Sequence, residues 1–265
     1  MNLIAMFAGH LAVVKILIGM LVGTLVGLSG LGGGVLLLPL LIFGLGVPPI
    51  VAVGSDAAFN ALTKIGAGIF HWRRGTVNWR LVSALCLGSI PGAGLGVLLL
   101  AHLRSVYGSG VNDILRTFIG ALLVSVTLLL FFQGKLQQYF AFRSPSPRLP
   151  YAGVSAIGVC SGFLVGMSSV GSGSIIMVLL LMLVPQPPAV LVGTDIVHAV
   201  GLTGFTSLLH LRLGTVDPSL VFPLLLGSIP GSLLGVRFST VLPGQWLKRV
   251  LCVIIFATGA RMLWF

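Results

Sequence analysis

The sequence predicts an all-α polytopic membrane protein built from two homologous halves, and three observations predict it. Of the 265 residues, 57% are hydrophobic and 7% charged, against roughly a quarter charged in a soluble domain, so polar groups cannot cover its surface. Long apolar runs, each near the ~20 residues that cross a bilayer, are separated by short polar breaks. The chain also reads twice. An offset of 139 residues carries Asp56 onto Asp195, His71 onto His210 and Gly23 onto Gly162, and Gly88-Ser89-Ile90-Pro91-Gly92 returns as Gly227-Ser228-Ile229-Pro230-Gly231. A duplicated half in so apolar a chain marks a transporter with its site where the halves meet.

Taken in order, spans or half-spans are expected over 11–29, 33–46, 49–70, 79–102 and 112–133. Their equivalents are 152–168, 173–185, 188–210, 219–241 and 246–265. The runs 33–46 and 173–185 are too short to cross alone. Each therefore pairs with the run before it as a broken, re-entrant hairpin, leaving six long spans. Residues 1–134 form the first repeat, 135–150 a Pro- and Ser-rich linker, and 151–265 the second repeat. The N-terminus lacks a basic leader and a convincing cleavage site, so the first run is expected to be retained. Cys86, Cys160 and Cys252 sit in apolar runs without metal-ligand spacing and read as small buried hydrophobes.

The net charge is +11, with no glutamate. In a soluble chain this would suggest nucleic acid; here the bases gather at span ends, where the positive-inside rule accounts for most of them. An anionic cargo is the second explanation. If the halves have opposite orientation, Arg73, Arg74, Arg80, Lys135, Arg143, Arg148, Arg237, Lys248 and Arg249 share the cytoplasmic side. Arg104, Arg116, Arg212 and Arg261 then lie outside, and both termini face outward. An inverted repeat is the expectation. Trp72, Trp79, Trp246 and Trp264 fall near span ends, as interfacial aromatics do.

Two duplicated constellations can carry chemistry. The first is Ser29-Gly30-Leu31-Gly32-Gly33-Gly34 with its mate Ser168-Ser169-Val170-Gly171-Ser172-Gly173. Glycine frees the backbone from helical dihedrals, and the exposed N–H groups then need a partner that an anion can supply. A half-helix starting near Gly33 or Ser172 would point its positive end inward, with hydroxyls of Ser29, Ser168 and Ser172 nearby. The competing explanation is a glycine-rich packing kink or an ordinary turn.

The second constellation is Val53-Gly54-Ser55-Asp56 and Val192-Gly193-Thr194-Asp195. Asp56, Asn60 and Lys64 at i, i+4 and i+8 form one polar stripe; Asp195 is followed by His198, and Thr203 stands where Lys64 was. Charge at membrane depth costs about 3 kcal/mol on insertion scales, so it faces the interior and is usually functional. Lys64 is the candidate attractor of the anion. Asp56 or Asp195 is the candidate carrier of a coupling proton, with scaffolding as the equal alternative.

His71 and His210 close the third run of each half, ahead of Gly75-Thr76-Val77 and Gly214-Thr215-Val216. They are candidates for a pH-sensitive gate, although capping a helix end explains them more simply. Gly88, Gly92 and Gly96, like Gly227, Gly231 and Gly235, recur at every fourth position and predict a seam of close helix approach.

With these motifs in place, the chain resembles the TauE/SafE (TSUP) family of sulfite and organosulfonate exporters from about residue 12 onward. The residues that carry the likeness are Gly27 to Gly34 with Pro39, Pro48-Pro49 through Val53-Gly54, His71 to Val77 and Gly88 to Gly92. Their echoes are Gly193-Thr194-Asp195, His210 to Val216 and Gly227 to Gly231. The resemblance implies transport of sulfite, thiosulfate, sulfoacetate or related anions across the inner membrane, usually as export. Many members read Gly-Thr-Ser where this chain has Gly-Ser-Asp and Gly-Thr-Asp, so the aspartates mark a subgroup. The alternatives are a permease of the same architecture for an unrelated solute, and a membrane-embedded enzyme or assembly subunit. No Walker motif, paired metal-ligand histidines or nucleophile elbow supports an enzyme, and neither cofactor, metal nor nucleic-acid partner is expected.

Overall fold

In a computed structural model, the described residues are 3–29, 34–141, 151–238 and 244–264. They form α1 (Leu3–Ser29), α2 (Gly34–Pro39), α3 (Pro49–Arg73), α4 (Trp79–Tyr107), α5 (Val111–Ala141), α6 (Tyr151–Ser168), α7 (Ser174–Leu183), α8 (Pro188–Arg212), α9 (Pro218–Phe238) and α10 (Gly244–Trp264). No strand occurs among them. A π-helical turn, Leu40–Gly44, extends α2 beyond Pro39, whose ring removes a donor from the regular ladder. Most boundaries lie within a few residues of the apolar runs. The clearest difference is α5, which continues through Ala141 into the stretch expected to be linker.

Residue choices explain where the helices begin and end. Pro49 and Pro188 open α3 and α8 with their ring-fixed φ. Gly75 and Gly214, both at φ 66°, stop the same two helices with the left-handed residue that suits glycine. The Asn78 and Asp217 side chains accept from backbone N–H groups at the starts of α4 and α9.

The surface is inside out relative to a soluble protein. Leu87, Leu98, Phe131, Phe222, Leu226 and Val253 are exposed, whereas Asp56, Thr194, His198, Thr203 and His210 are buried. Apolar stretches long enough to cross a bilayer lie in α1, α6, α8 and α9 and along the α4–α5 stretch; α7 and 35–44 are apolar but shorter. This is a multi-pass membrane protein. Trp72, Trp79 and Trp264 are exposed at helix ends; the Trp246 side chain is outside the described residues.

Packing exchanges elements between the halves. The most extensive contacts join α4 to α6 and, at equivalent positions, α1 to α9; α3 meets α8 and α5 meets α10. The glycine seams make the first two contacts. A Cβ at Gly88, Gly92 or Gly96 would meet the carbonyl oxygen of Ser155, Val159 or Phe163, and one at Gly227, Gly231 or Gly235 that of Ile16, Met20 or Thr24. Both pairs run parallel. The equivalent helices run antiparallel instead: Gly54 approaches Thr215, Gly68 faces Val197 and Val200, and Gly193 approaches Thr76.

Candidate functional site

The duplicated Gly-Ser-Asp and Gly-Thr-Asp motifs form joints between the halves. Ser55 Oγ accepts from the Asp217 backbone N–H at 3.0 Å, and Thr194 Oγ1 accepts from the Asn78 N–H at 3.0 Å. Gly54 and Gly193 admit the loops that make these bonds. Their neighbours Asp56 and Asp195 are buried one residue further along α3 and α8. Removing either hydroxyl leaves an inward N–H without its partner, a loss of roughly 1–3 kcal/mol. Ser55→Ala and Thr194→Val are each expected to lower the unfolding midpoint, and the double variant to lower it nearly additively, because the two joints lie at opposite ends of the α3–α8 pair. Equal midpoints for wild type and double variant would show that the joints contribute nothing.

The second-half break is present as a buried interruption. α6 ends at Ser168 and α7 begins at Ser174. Between them Ser169 has φ 58° and Gly171 has φ 109°; Ser169 is the only non-glycine residue with positive φ among the described residues. Such a conformation costs about 1–3 kcal/mol and clusters at functional sites. The Ser168 hydroxyl donates to the Leu164 carbonyl and accepts from Val170 N–H, and the Gly173 N–H reaches Gly171 O at 2.8 Å. Non-helical backbone is tolerated at this depth because protein encloses it. In the first half, α1 ends at Ser29 and α2 starts at Gly34. Gly30, Gly32 and Gly33 lie outside the described residues, as does the Ser29 side chain.

Lys64 ties one half to the other. Its Nζ donates to the Ser172 backbone carbonyl at 2.7 Å and to Ser172 Oγ at 2.9 Å, just ahead of the α7 N-terminus. A lysine ammonium and a helix N-terminus thus place positive charge on the same few atoms. Asp56 and Asp195 are the carboxylates whose charge Lys64 feels. Asn60 Nδ2 donates to the Asp56 backbone carbonyl at 3.0 Å, and Asn60 and Ser169 flank the Asp56 carboxylate. His198 lies 2.7 Å from Ser89 Oγ through Nε2. The polar stripe of α3, the Asp195–His198 pair of α8 and the second break therefore meet in one cluster.

Several buried atoms in that cluster have no hydrogen-bond partner: both Asp56 carboxylate oxygens, Asp195 Oδ1, His198 Nδ1, Ser169 Oγ and Ser174 Oγ. Buried polar atoms are normally satisfied, so a group of them calls for an explanation.

His71 and His210 each bond to the turn that follows their helix. Each Nδ1 lies 2.9 Å from the hydroxyl of the following threonine, Thr76 or Thr215. His210 Nε2 also donates to Gly166 O at 3.1 Å, in the last turn of α6. The Ser89 contact to His198 has no counterpart in the sequence reading, where Ser89 appears only within the repeated Gly-Ser-Ile-Pro-Gly motif; its offset from the glycines around it was the available signal.

Comparison with known proteins adds an independent line. The family model described as Sulfite exporter TauE/SafE matches residues 15–262. The "Probable membrane transporter protein YjnA" of Bacillus subtilis (strain 168) is 38% identical over 252 residues, covering 94% of this chain and 98% of that protein. "Probable membrane transporter protein YdhB" and "Probable membrane transporter protein YunE" of the same organism are 26% and 22% identical, each match spanning at least 94% of this chain and 97% of the relative. No solved structure gives a significant match.

Proposed function

The chain belongs to the TauE/SafE sulfite exporter family, and from that premise we propose that it is a secondary transporter of small sulfur-containing anions such as sulfite, thiosulfate or sulfoacetate, working by alternating access, in the export direction, at the inner membrane. The observation that carries this reading is the reach of Lys64 across the half-to-half interface to Ser172 at the head of α7. An oxyanion entering there exchanges the Ser172 contacts of Lys64 for its own and meets the N-terminal end of a half-helix. Ser168, Ser169, Gly171 and Gly173 form the interruption beside it.

The exchange of equivalent elements supports an inverted repeat. α3 and α8 correspond under the 139-residue offset and run antiparallel, as halves related by an axis in the membrane plane must. The charges sort accordingly. Arg104 Nη1 donates to Leu213 O, and Arg116 and Arg261 both stand over the Phe43 ring, while Arg80 and Tyr151 line one recess at the other end. Rocking of one half on the other would open the Lys64 cluster to each side in turn.

Two carboxylates and one ammonium leave the cluster acidic before any anion arrives, so positive charge must accompany the cargo. In this proposal Asp195 carries a proton, with His198 one turn further along α8. Reconstituted vesicles test both parts. Saturable uptake of labelled sulfite, thiosulfate or sulfoacetate is expected, and absence of flux for all three removes the cargo assignment. Asp195→Asn is expected to flatten the pH dependence of flux in a folded protein; an unchanged profile would return Asp195 to scaffolding.

A further inference from the structure

Identical residues at equivalent positions of the two halves sit in different surroundings. Val165, Gly166, His210 and Thr215 are buried. Val26, Gly27, His71 and Thr76, the same residue types 139 positions earlier, are half-buried. Composition cannot cause that difference, so arrangement does. One hydrogen bond marks it. His210 Nε2 donates to Gly166 O at 3.1 Å and fastens the end of α8 to the last turn of α6. Among the described residues, the His71 ring bonds only to the Thr76 hydroxyl and makes no such bond to Gly27. α6 also meets α8, a contact that α1 and α3 do not match.

The uncovered surface runs along one stripe. Thr63, Ala67 and His71 follow at i, i+4 and i+8 on α3, with Lys64 beside them. Ala67 is exposed and the other three are half-buried, whereas Leu202, Thr203, Thr206 and His210, their equivalents on α8, are all buried. Lipid suits an apolar stripe; one that holds an ammonium, a hydroxyl and an imidazole calls for water. α3 and α8 run antiparallel, so the two stripes lead from the Lys64 cluster to opposite ends of the molecule. The stripe that ends beside the exposed Arg73 and Arg74 is open, and its counterpart is covered.

We propose that the His210–Gly166 bond is a latch that keeps the α8 side of the cluster shut in this structure, and that His71 and Gly27 form the matching latch when the α3 side shuts in turn. Repeats that exchange conformations give the state facing the other way. The bond made at one end therefore defines the bond to be made at the other. In the present state the way to Lys64 is the Thr63–Ala67–His71 stripe. The latch grips α6 just ahead of Ser168 and Ser169, so its release frees the flank of the break that Lys64 reaches. Both histidines are positioning residues that hold helices and touch no cargo. This inference rests on the carrier reading for the cycle it serves, while the latch itself rests on the bond and the burial.

Single cysteines at Ala67 or Thr206, in a protein with Cys86, Cys160 and Cys252 replaced by alanine, provide the test. A charged methanethiosulfonate applied in detergent reacts with the thiolate, and so reports contact with water rather than lipid. Ala67→Cys is expected to react several times faster than Thr206→Cys. His210→Asn keeps a polar atom near the Nδ1 position and loses Nε2. It should speed Thr206→Cys by roughly 2–10-fold, the population shift that one ordinary hydrogen bond supplies, without speeding Ala67→Cys. His210→Gln, whose amide reaches the Nε2 position, should restore the slow rate. His71→Asn should leave both rates unchanged, because its bond is not made in this state, yet lower anion flux in vesicles by roughly 2–10-fold. Should His210→Asn fail to fold, the His71→Asn comparison carries the test. Equal rates at Ala67→Cys and Thr206→Cys, an equal gain at both in His210→Asn, no gain at either, or wild-type flux in His71→Asn overturns the proposal. Labelling that follows His210 with no flux of any anion leaves the latch and defeats the carrier reading, whereas flux with labelling indifferent to His210 leaves the carrier and removes the latch.

Discussion

Replacing Lys64 by methionine is expected to reduce anion flux by roughly 30-fold to several thousandfold, the loss that follows when one partner of a buried charged contact is truncated, about 2–5 kcal/mol. Methionine keeps the length and apolar stem, so α3 retains its packing while the ammonium disappears. The expected division is informative. Cargo affinity and flux fall together, while the unfolding midpoint falls only modestly, because the Ser172 contact is also a link between the halves. Asp56 and Asp195 would be left without the one ammonium that both feel, so the residual flux should shift toward acidic pH, where protons substitute for the missing charge. Labelled uptake across pH, alongside size-exclusion profiles, checks this. Wild-type flux in a folded Lys64→Met protein would remove Lys64 from the anion's path and, with it, the observation on which the cargo proposal depends.

Much of the fold was legible because the membrane makes it so. Apolar length fixes where helices lie, and the proline pairs and Gly75 and Gly214 mark their ends with backbone geometry that the residues themselves impose. The polar stripe of α3 was legible for the same reason: Asp56, Asn60 and Lys64 follow helical spacing. What the stripe touches was not. An offset of 139 residues says that Ser55 and Thr194 are equivalent, but nothing in it says that each binds the loop after its partner's helix. That pairing arises from the exchange of α4 and α9 between halves, a tertiary fact without local signature. Lys64 meeting Ser172 across 108 residues of chain belongs to the same class. The histidines belong there too. Position at a helix end allowed both a gate and a cap, and the partner in the turn, the hydroxyl of Thr76 or Thr215, had no signal in the spacing.

The seams carry the largest expected effect on stability. Gly88→Val or Gly227→Val is expected to abolish the folded protein, because the new Cβ overlaps main chain rather than side chain: the Ser155 carbonyl with Val159 N in one seam, the Ile16 carbonyl with Met20 N in the other. Overpacking against side chains costs about 1–3 kcal/mol where rotamers can yield; here only separation of α4 from α6, or α1 from α9, makes room. Those are the most extensive contacts between the halves, and apolar lipid offers no hydrophobic force to restore them once the backbones part. Gly94 is the internal control. It lies in α4 between two seam positions, and a Cβ there meets nothing within 4 Å, so Gly94→Ala should be neutral or stabilise by about 0.5–1 kcal/mol through helix propensity. Monodisperse yield and unfolding midpoint are the measurements. A Gly88→Val protein as well folded as Gly94→Ala would mean that α4 and α6 do not approach through their glycines, and the exchanged packing of the halves would fall with that contact.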